Sequence, residues 1–241
     1  MSPILIAYFP LADAVVPTHL LDLYADAGVD IVEFGWPARD PYLDGADVRA
    51  SMARAAEGDP RAAFTAARER LSSHRKAPKA LIMTYAEPDH PALRDPDFFR
   101  NVDATLVLGP PEGARRSAME TSARKAGAGV SAFLPLPLAA DDIAAATHAD
   151  CYAMLQAASG VTGPRRSLDA DNKARVTELR AKGVTVPIVL GFGISSGAQA
   201  RAAVDYGAGG VVVGSAILRA ALQGRGELQA LLTQLREGLD A

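Results

Sequence analysis

Short apolar segments alternate with longer amphipathic segments along this chain. The short segments have the length and composition of buried strands, and the long ones repeat their apolar residues at helical spacing. The eight predicted strands, numbered in chain order, are residues 4–9, 29–34, 79–85, 103–108, 129–134, 150–155, 187–191 and 210–213. Such alternation is typical of βαβ units that build a parallel sheet.

A helical pattern follows each predicted strand. The predicted helices are residues 17–27, 47–56 with 60–75, 91–100, 112–126, 140–147, 169–182, 196–206 and 225–238. Eight strand–helix repeats favour a closed barrel over an open doubly wound sheet, and the first turn lacks a GxGxxG fingerprint. We therefore predict an α/β fold with a single (β/α)8 TIM barrel domain over residues 1–241. In such barrels the active site lies in the loops that follow the strands.

Composition and charge narrow the classes of function. The net charge of −3 comes without any basic block, which argues against nucleic-acid binding. The single cysteine, Cys151, leaves no internal disulfide and fits a reducing compartment. No apolar segment approaches the length of a membrane span, and the first residues lack a secretory signal pattern. We therefore expect a cytoplasmic protein that binds neither nucleic acid nor membrane.

Two glycine-containing segments follow the last two predicted strands. The segment after strand seven reads GFGIS from Gly191 to Ser195, and the segment after strand eight begins with Gly214 and Ser215. Glycine lets backbone N–H groups approach an anion closely, and the helical pattern at 215–221 would add its dipole. Barrels commonly bind phosphate with these two loops, so we predict a phosphate site there. The alternative is that the glycines only permit tight turns.

An acidic residue lies within the second predicted strand. Side chains alternate between the two faces of a strand, so Glu33 shares a face with Ile31 and opposes Val32 and Phe34. If Val32 and Phe34 pack against helices, Glu33 points into the barrel near its mouth. A carboxylate there should be paired, hydrogen-bonded or raised in pKa, and a raised pKa suits a group that takes and gives protons. A structural ion pair with an Arg is the alternative.

The loop after strand two carries two further acidic residues and is long for a strand–helix connection. Asp40 precedes Pro41, which is typical of a turn. Asp44 precedes Gly45 and, by residue type alone, is better explained as a turn residue or helix cap. Long connections of this kind are often functional, so both explanations stay open.

The residues from Asp30 to Gly45 resemble the strand-two signature of tryptophan synthase α subunits. The signature reads DIVEFGWP from Asp30 to Pro37 and DPYLDG from Asp40 to Gly45. The GVTG segment at 160–163 is similar to loop six of that family, and the GFGIS and VGS segments are similar to its phosphate loops. All occur in family order, and the resemblance covers nearly the whole chain.

The resemblance implies a lyase that cleaves indole-3-glycerol phosphate to indole and glyceraldehyde 3-phosphate by a retro-aldol reaction without a cofactor. It implies that Glu33 shuttles protons and that Asp44 stabilises the charge developing toward the indole nitrogen. The substrate-binding residues that we predict are Tyr85, Thr162, Gly163, Phe192, Gly193, Gly214 and Ser215. The apolar slot for the indole would be lined by Tyr8, Tyr85, Phe133, Met154 and Phe192. For each of these residues the alternative is an ordinary position in the hydrophobic core.

The chain departs from the family pattern around the loops after strands two and three. Ala46 stands where the family has Pro, Arg49 stands where it has Gln, and residues 86–88 read AEP instead of an Asn-Pro stretch. In the family these regions face the β subunit or support the catalytic loop. A tryptophan synthase β subunit is thus a candidate partner, although we expect cleavage without it. Arg49 could hold the loop by pairing with Asp44 or Asp47, with a solvated Arg as the alternative.

Other chemistries fit the sequence less well. A Schiff-base aldolase needs a Lys in the barrel mouth, but Lys79 is at the wrong end of strand three. A metal aldolase needs clustered ligands, whereas only His90 of the four histidines lies in a mouth loop, where we expect an ordinary surface residue; no metal site is predicted. Two further hypotheses remain: another phosphosugar lyase or isomerase on the same barrel, and a non-catalytic partner of a β-like subunit.

Overall fold

Eight parallel strands form a closed barrel in chain order, as the computed structural model shows for residues 2–110, 113–158 and 168–241. The strands are β1 Ile4–Pro10, β2 Ile31–Gly35, β3 Lys79–Tyr85, β4 Ala104–Leu108, β5 Gly129–Leu134, β6 Ala153–Gln156, β7 Ile188–Gly191 and β8 Gly210–Val213. β1 closes the barrel by pairing with β8, where Ala7 lies opposite Val213. The predicted TIM barrel is confirmed, with each strand within three residues of its expected bounds.

The α-helices surround this barrel. They are α1 Leu21–Asp26, α2 Ala46–Ala55, α3 Pro60–Ser72, α4 Ala114–Lys125, α5 Ala140–Thr147, α6 Asn172–Ala181, α7 Gly197–Asp205, α8 Ser215–Gln223 and α9 Arg225–Asp240. The short helix α8 begins directly after β8, at the residue expected from the sequence. Of the helices in the described residues, none is long and apolar enough to cross a membrane.

The predicted helix over residues 91–100 is wrong. Only Pro91–Leu93 forms a short 3-10 helix, and turns follow it. Pro96 lacks an N–H and disfavours helical geometry at Asp95, so a helix cannot continue through this segment. Arg61 of α3 holds the segment instead, through the Asp95 carboxylate at 2.7 Å and the Phe98 carbonyl at 3.0 Å.

Aspartates close the end of the barrel opposite the mouth. The carboxylates of Asp30, Asp103 and Asp150, which precede β2, β4 and β6, accept backbone N–H groups of the preceding strands at 2.7–3.1 Å. Each is also paired with an arginine from an outer helix. These acids satisfy strand ends, a role that belongs to the stability face of a barrel.

The alternation in β2 positions Glu33 as expected. Phe34 points outward, where its ring packs edge-on against Phe64 of α3 at 5.5 Å and Phe9 of β1 at 6.0 Å. Glu33 therefore points to the interior of the barrel, with 4% of its surface exposed. Packing of the outer face fixes the direction of the carboxylate.

Candidate active site

Glu33 is held across the barrel by a tyrosine. The Tyr152 hydroxyl, directly before β6, donates a hydrogen bond to Glu33 Oε1 at 2.8 Å. Burial raises the pKa of Glu33 to about 7; the bond from Tyr152 acts in the opposite direction, and the charge of Asp44 raises the pKa further. Among the described residues no arginine pairs with Glu33, so the structural ion pair is not found. A carboxyl group with this pKa is half protonated near neutral pH.

Asp44 is also buried, and a different tyrosine holds it. The Tyr85 hydroxyl at the end of β3 donates to Asp44 Oδ2 at 2.7 Å, and 7% of Asp44 is exposed. Burial, followed by the charge of Asp44, raises the pKa of Tyr85, which therefore remains a proton donor. The N-cap of α2 is Gly45, so Asp44 is not the helix cap. Its backbone N–H does close a turn onto Pro41, but its side chain lies in the cavity described below.

Hydrogen bonds hold both ends of the loop that carries Asp44. Glu87 in the loop after β3 accepts the backbone N–H groups of Arg39 at 2.7 Å and Asp40 at 3.1 Å. Arg49 in α2 donates to the Asp44 carbonyl at 2.8 Å. Arg49 therefore holds this loop through the main chain, whereas Asp47 pairs with Arg219 of α8 at 2.7 Å.

Arg49 makes a second bond to the same loop. Its guanidinium also reaches the Tyr42 carbonyl at 3.3 Å, and the Tyr42 ring packs edge-on against Tyr85 at 5.3 Å. Tyr85 is the residue that orients Asp44. The contacts of Arg49 and Glu87 thus order the loop within the chain itself.

The two glycine segments lie side by side at the mouth. Phe192 and Gly193 have φ angles of +70° and +102°, so the loop after β7 turns through left-handed backbone. Gly214 precedes α8, and no described side chain caps the first turn of that helix, which starts at Ser215. Uncapped N–H groups at a helix start are a ready site for an anion. The Ser195 N–H, in contrast, is already bonded to Gln199 at 2.7 Å.

One cavity brings most of the predicted site residues together. Its lining includes Glu33, Asp44, Tyr85, Phe192, Gly214 and Ser215, together with Tyr8 and Met154 of the expected indole slot. Phe133 lies behind this wall, stacked on Phe192 at 5.5 Å. Gly193 belongs to the adjoining loop and is not part of the lining. Thr162 and Gly163 lie outside the described residues.

Some residues at the site were not predicted from the sequence. Tyr152 was missed, although it shares the inward face of the sixth strand segment with Met154, and that alternation is a signal that could have found it. Leu43, Met83 and Leu108 add apolar surface to the cavity. These three look like ordinary core residues in the sequence, so no local signal marks them.

His90 is buried rather than on the surface, which corrects the expectation. It is 4% exposed, its Nδ1 accepts the Ala92 N–H at 3.1 Å, and its Nε2 contacts the Thr84 hydroxyl at 2.8 Å. Burial lowers the pKa of His90 to about 4, so the ring is neutral and structural. Lys79 is exposed at the opposite end of β3 from the mouth. Within the described residues, no group of three His, Cys, Asp or Glu side chains could hold a metal ion.

The raised pKa of Glu33 predicts a pH-dependent stability difference from Glu33→Gln. The folded protein holds the proton more tightly than the unfolded chain, so wild-type stability falls as the pH rises from 4.5 to about 7. Gln cannot ionise and still accepts from Tyr152. The variant should be more stable at pH 8 by up to about 3 kcal/mol and should match the wild type near pH 4. Urea unfolding at both pH values measures this; equal stabilities at pH 8 contradict it.

Comparison with known proteins agrees with this geometry. The family model described as tryptophan synthase alpha chain matches residues 2–238. The tryptophan synthase alpha chain of Archaeoglobus fulgidus is 30% identical over 97% of this chain and 95% of its own length. That of Synechococcus elongatus is 31% identical over 88% of this chain and 82% of its own length.

Solved structures superpose closely on this barrel. A chain of Mycobacterium tuberculosis tryptophan synthase superposes with a TM-score of 0.82 and 27% identity over 100% of this chain and 93% of that one. A protein of Aquifex aeolicus gives a TM-score of 0.83 at 25% identity, over 99% of this chain and 94% of that one. With its family model, relatives and barrel in agreement, this chain belongs to the tryptophan synthase alpha chain family, whose lyase activity is the cleavage of indole-3-glycerol phosphate.

Proposed function

We propose that this chain cleaves indole-3-glycerol phosphate to indole and glyceraldehyde 3-phosphate with Glu33 and Asp44 as its catalytic residues. The observation that carries the proposal is the pair of buried carboxyl groups, each oriented by its own tyrosine, in one cavity with Gly214 and Ser215. The reaction needs a carboxyl group at the C–C bond that breaks and another at the indole nitrogen. Two separately oriented carboxyl groups can contact both places, whereas one group could not.

Glu33 is the proton shuttle in this mechanism. In its protonated form it gives its proton to indole C3, which becomes sp3. The resulting carboxylate then takes the proton of the adjacent glycerol hydroxyl as the C–C bond breaks, and the bonding pair returns to the indole ring. The aldehyde forms from the hydroxyl carbon, and Glu33 ends protonated as it began. A pKa of about 7 suits both steps near neutral pH.

Asp44 stabilises the intermediate state of the ring. Protonation at C3 places positive charge toward the indole nitrogen, and a carboxylate that accepts the indole N–H lowers the energy of that state. The bond from Tyr85 fixes the orientation of the carboxylate, so no reorganisation is needed when the charge develops.

The phosphate of the substrate binds at the start of α8. Backbone N–H groups after Gly214 and around Gly193 are its donors, and the helix dipole adds attraction. Thr162 and Gly163, which lie outside the described residues, are substrate-binding residues in this proposal by the family resemblance alone. Binding of the phosphate orients the indole against the two carboxyl groups. Binding energy from a part of the substrate that does not react thereby lowers the barrier of the reaction.

We further propose that the activity does not require a β subunit. The bonds from Glu87 and Arg49 give the Asp44 loop an order that does not depend on a partner. The protein acts as one domain in this proposal, in the cytoplasm, in keeping with its single cysteine.

Neutral replacements of the two acids should abolish most turnover without unfolding the protein. Glu33→Gln and Asp44→Asn should each lower the rate of indole release at least about a hundredfold, because one removes the proton shuttle and the other the charge. Asp40→Asn, an exposed change in the same loop, is the matched control and should keep its rate. Near-native turnover in a folded Asp44→Asn protein would return Asp44 to the role of a turn residue.

A side chain at Gly214 should block phosphate without disturbing the fold. A Cβ there would meet Tyr8 Cβ only at 4.0 Å, an ordinary contact, but would fill the approach to the start of α8. Gly214→Val should weaken glyceraldehyde 3-phosphate binding about tenfold or more, as expected for losing hydrogen bonds to a charged group. Gly226→Ala, where a Cβ meets nothing within 4 Å, is the control for calorimetry. Unchanged affinity in Gly214→Val argues for another phosphate site.

Because Arg49 orders the loop that carries Asp44, Arg49→Met should impair catalysis. Loss of the bonds to Asp44 and Tyr42 should slow indole release about tenfold, a coupling of about 1.4 kcal/mol. Arg39→Met, at an exposed arginine of the loop itself, should have little effect.

Adding a β subunit from the same source should leave the wild-type rate of indole release within a few-fold of its value without β. A rise of about tenfold or more on adding β would contradict independent activity.

A further inference from the structure

Tyr8 carries a buried hydroxyl with no hydrogen-bond partner among the described residues. The residue is 2% exposed and lines the cavity that holds Glu33 and Asp44. The other large buried tyrosines around it behave differently, because Tyr152 and Tyr85 donate to those two carboxyl groups. A buried hydroxyl without a partner destabilises a protein, so such groups are rare away from sites that bind something.

The Tyr8 side chain extends from Gly214, at the proposed phosphate site, to Gly35, at the carboxyl end of β2. At one end, its Cβ is 4.0 Å from the position of a Cβ on Gly214. At the other end, its hydroxyl oxygen would lie 2.3 Å from a Cβ on Gly35, two residues beyond Glu33 on the same inward face. The glycine thus leaves the space that the hydroxyl occupies beside the two carboxyl groups.

The hydroxyl at this position is a donor. Burial, then the charges of Asp44 and Glu33, raise the pKa of Tyr8 well above its ordinary value, so the group keeps its proton. The substrate of the proposed reaction offers few acceptors. Its indole N–H is itself a donor and is matched by Asp44, and its phosphate is matched by backbone N–H groups. The oxygens of the glycerol chain, which join these two ends, have no other assigned donor.

We propose that Tyr8 is a specificity-determining substrate-binding residue whose hydroxyl donates a hydrogen bond to a glycerol oxygen of the bound indole-glycerol phosphate. The inference rests on the proposed reaction and adds to it a reason why the side chain of the substrate must be hydroxylated. A site built to bond a hydroxyl disfavours an analogue that lacks it, because the buried donor is then left unpaired.

Two ligands that differ only in the hydroxyls test this assignment. Binding of indole-3-glycerol phosphate and of 3-(indol-3-yl)propyl phosphate is measured by calorimetry on Glu33→Gln, which slows turnover, with and without Tyr8→Phe. Tyr8→Phe should weaken the glycerol phosphate about three- to tenfold, the scale of one hydrogen bond, and leave the propyl phosphate unchanged. Equal weakening of both ligands, no change in either, or no binding of either to the parent overturns the proposal.

Failure of the reaction and failure of this contact give different results. If the wild type releases no indole but Tyr8→Phe weakens binding of the glycerol phosphate alone, the contact stands and the cleavage does not. If the wild type releases indole and Tyr8→Phe changes the affinity for both ligands equally or for neither, only the contact fails. The ratio of the two affinities therefore reports on Tyr8 alone.

Thermal stability supplies an independent readout. Tyr24→Phe is the matched control, because its hydroxyl donates to the Tyr8 carbonyl at 2.8 Å and its loss should lower the melting temperature while keeping the affinity ratio. Tyr8→Phe removes a hydroxyl without a partner, so its melting temperature should stay the same or rise. A drop in Tyr8→Phe as large as that in Tyr24→Phe would mean that the hydroxyl is bonded within the protein, and would overturn the proposal.

Discussion

The burial of one carboxyl group, Glu33, is the constraint on which the rest of the site depends. A closed barrel removes water from the interior, and ionising a carboxyl group there is unfavourable unless donors surround it. Among the described residues a single donor, Tyr152, meets this group, and its pKa is raised from 4.5 to about 7. The barrel thus makes an ordinary glutamate into a group that exchanges protons at neutral pH, at the cost of some stability.

The second carboxyl group is set up differently, because it lies on a loop. Asp44 needs a fixed position to act on the substrate, and that position depends on hydrogen bonds to the main chain around it. Glu87 and Arg49 bond to the backbone of this loop, and Tyr85 orients the side chain. A loop restrained at its ends and at its functional group loses little entropy when the substrate binds, which is what allows a loop to carry a catalytic residue.

Much of the barrel and part of the site could be predicted from the sequence, for physical reasons. Period-two alternation in β2 is local, so the direction of Glu33 followed from its neighbours. The role of Asp44 did not follow, because Asp before Gly is equally typical of a turn, and only the wider resemblance favoured function. The helix at 91–100 was wrong because Pro96 and contacts from α3 decided that segment. His90 was expected on the surface because its burial depends on contacts that the local sequence does not show. Trp36 is distant in sequence, and Phe98 belongs to the segment that was wrongly predicted as a helix.

The position of an acid along its strand, more than its type, decides what it does in this protein. Asp30 is three residues before Glu33, yet it lies at the opposite end of the barrel from the mouth, where its half-exposed carboxylate accepts a backbone N–H and pairs with Arg236. Glu33 lies in the interior near the mouth, where it is 4% exposed and accepts a hydrogen bond from Tyr152. Stability and chemistry are thereby separated along a single strand. A change at the mouth can alter reactivity while the opposite end keeps the barrel closed, which is why neutral variants of the catalytic acids should still fold.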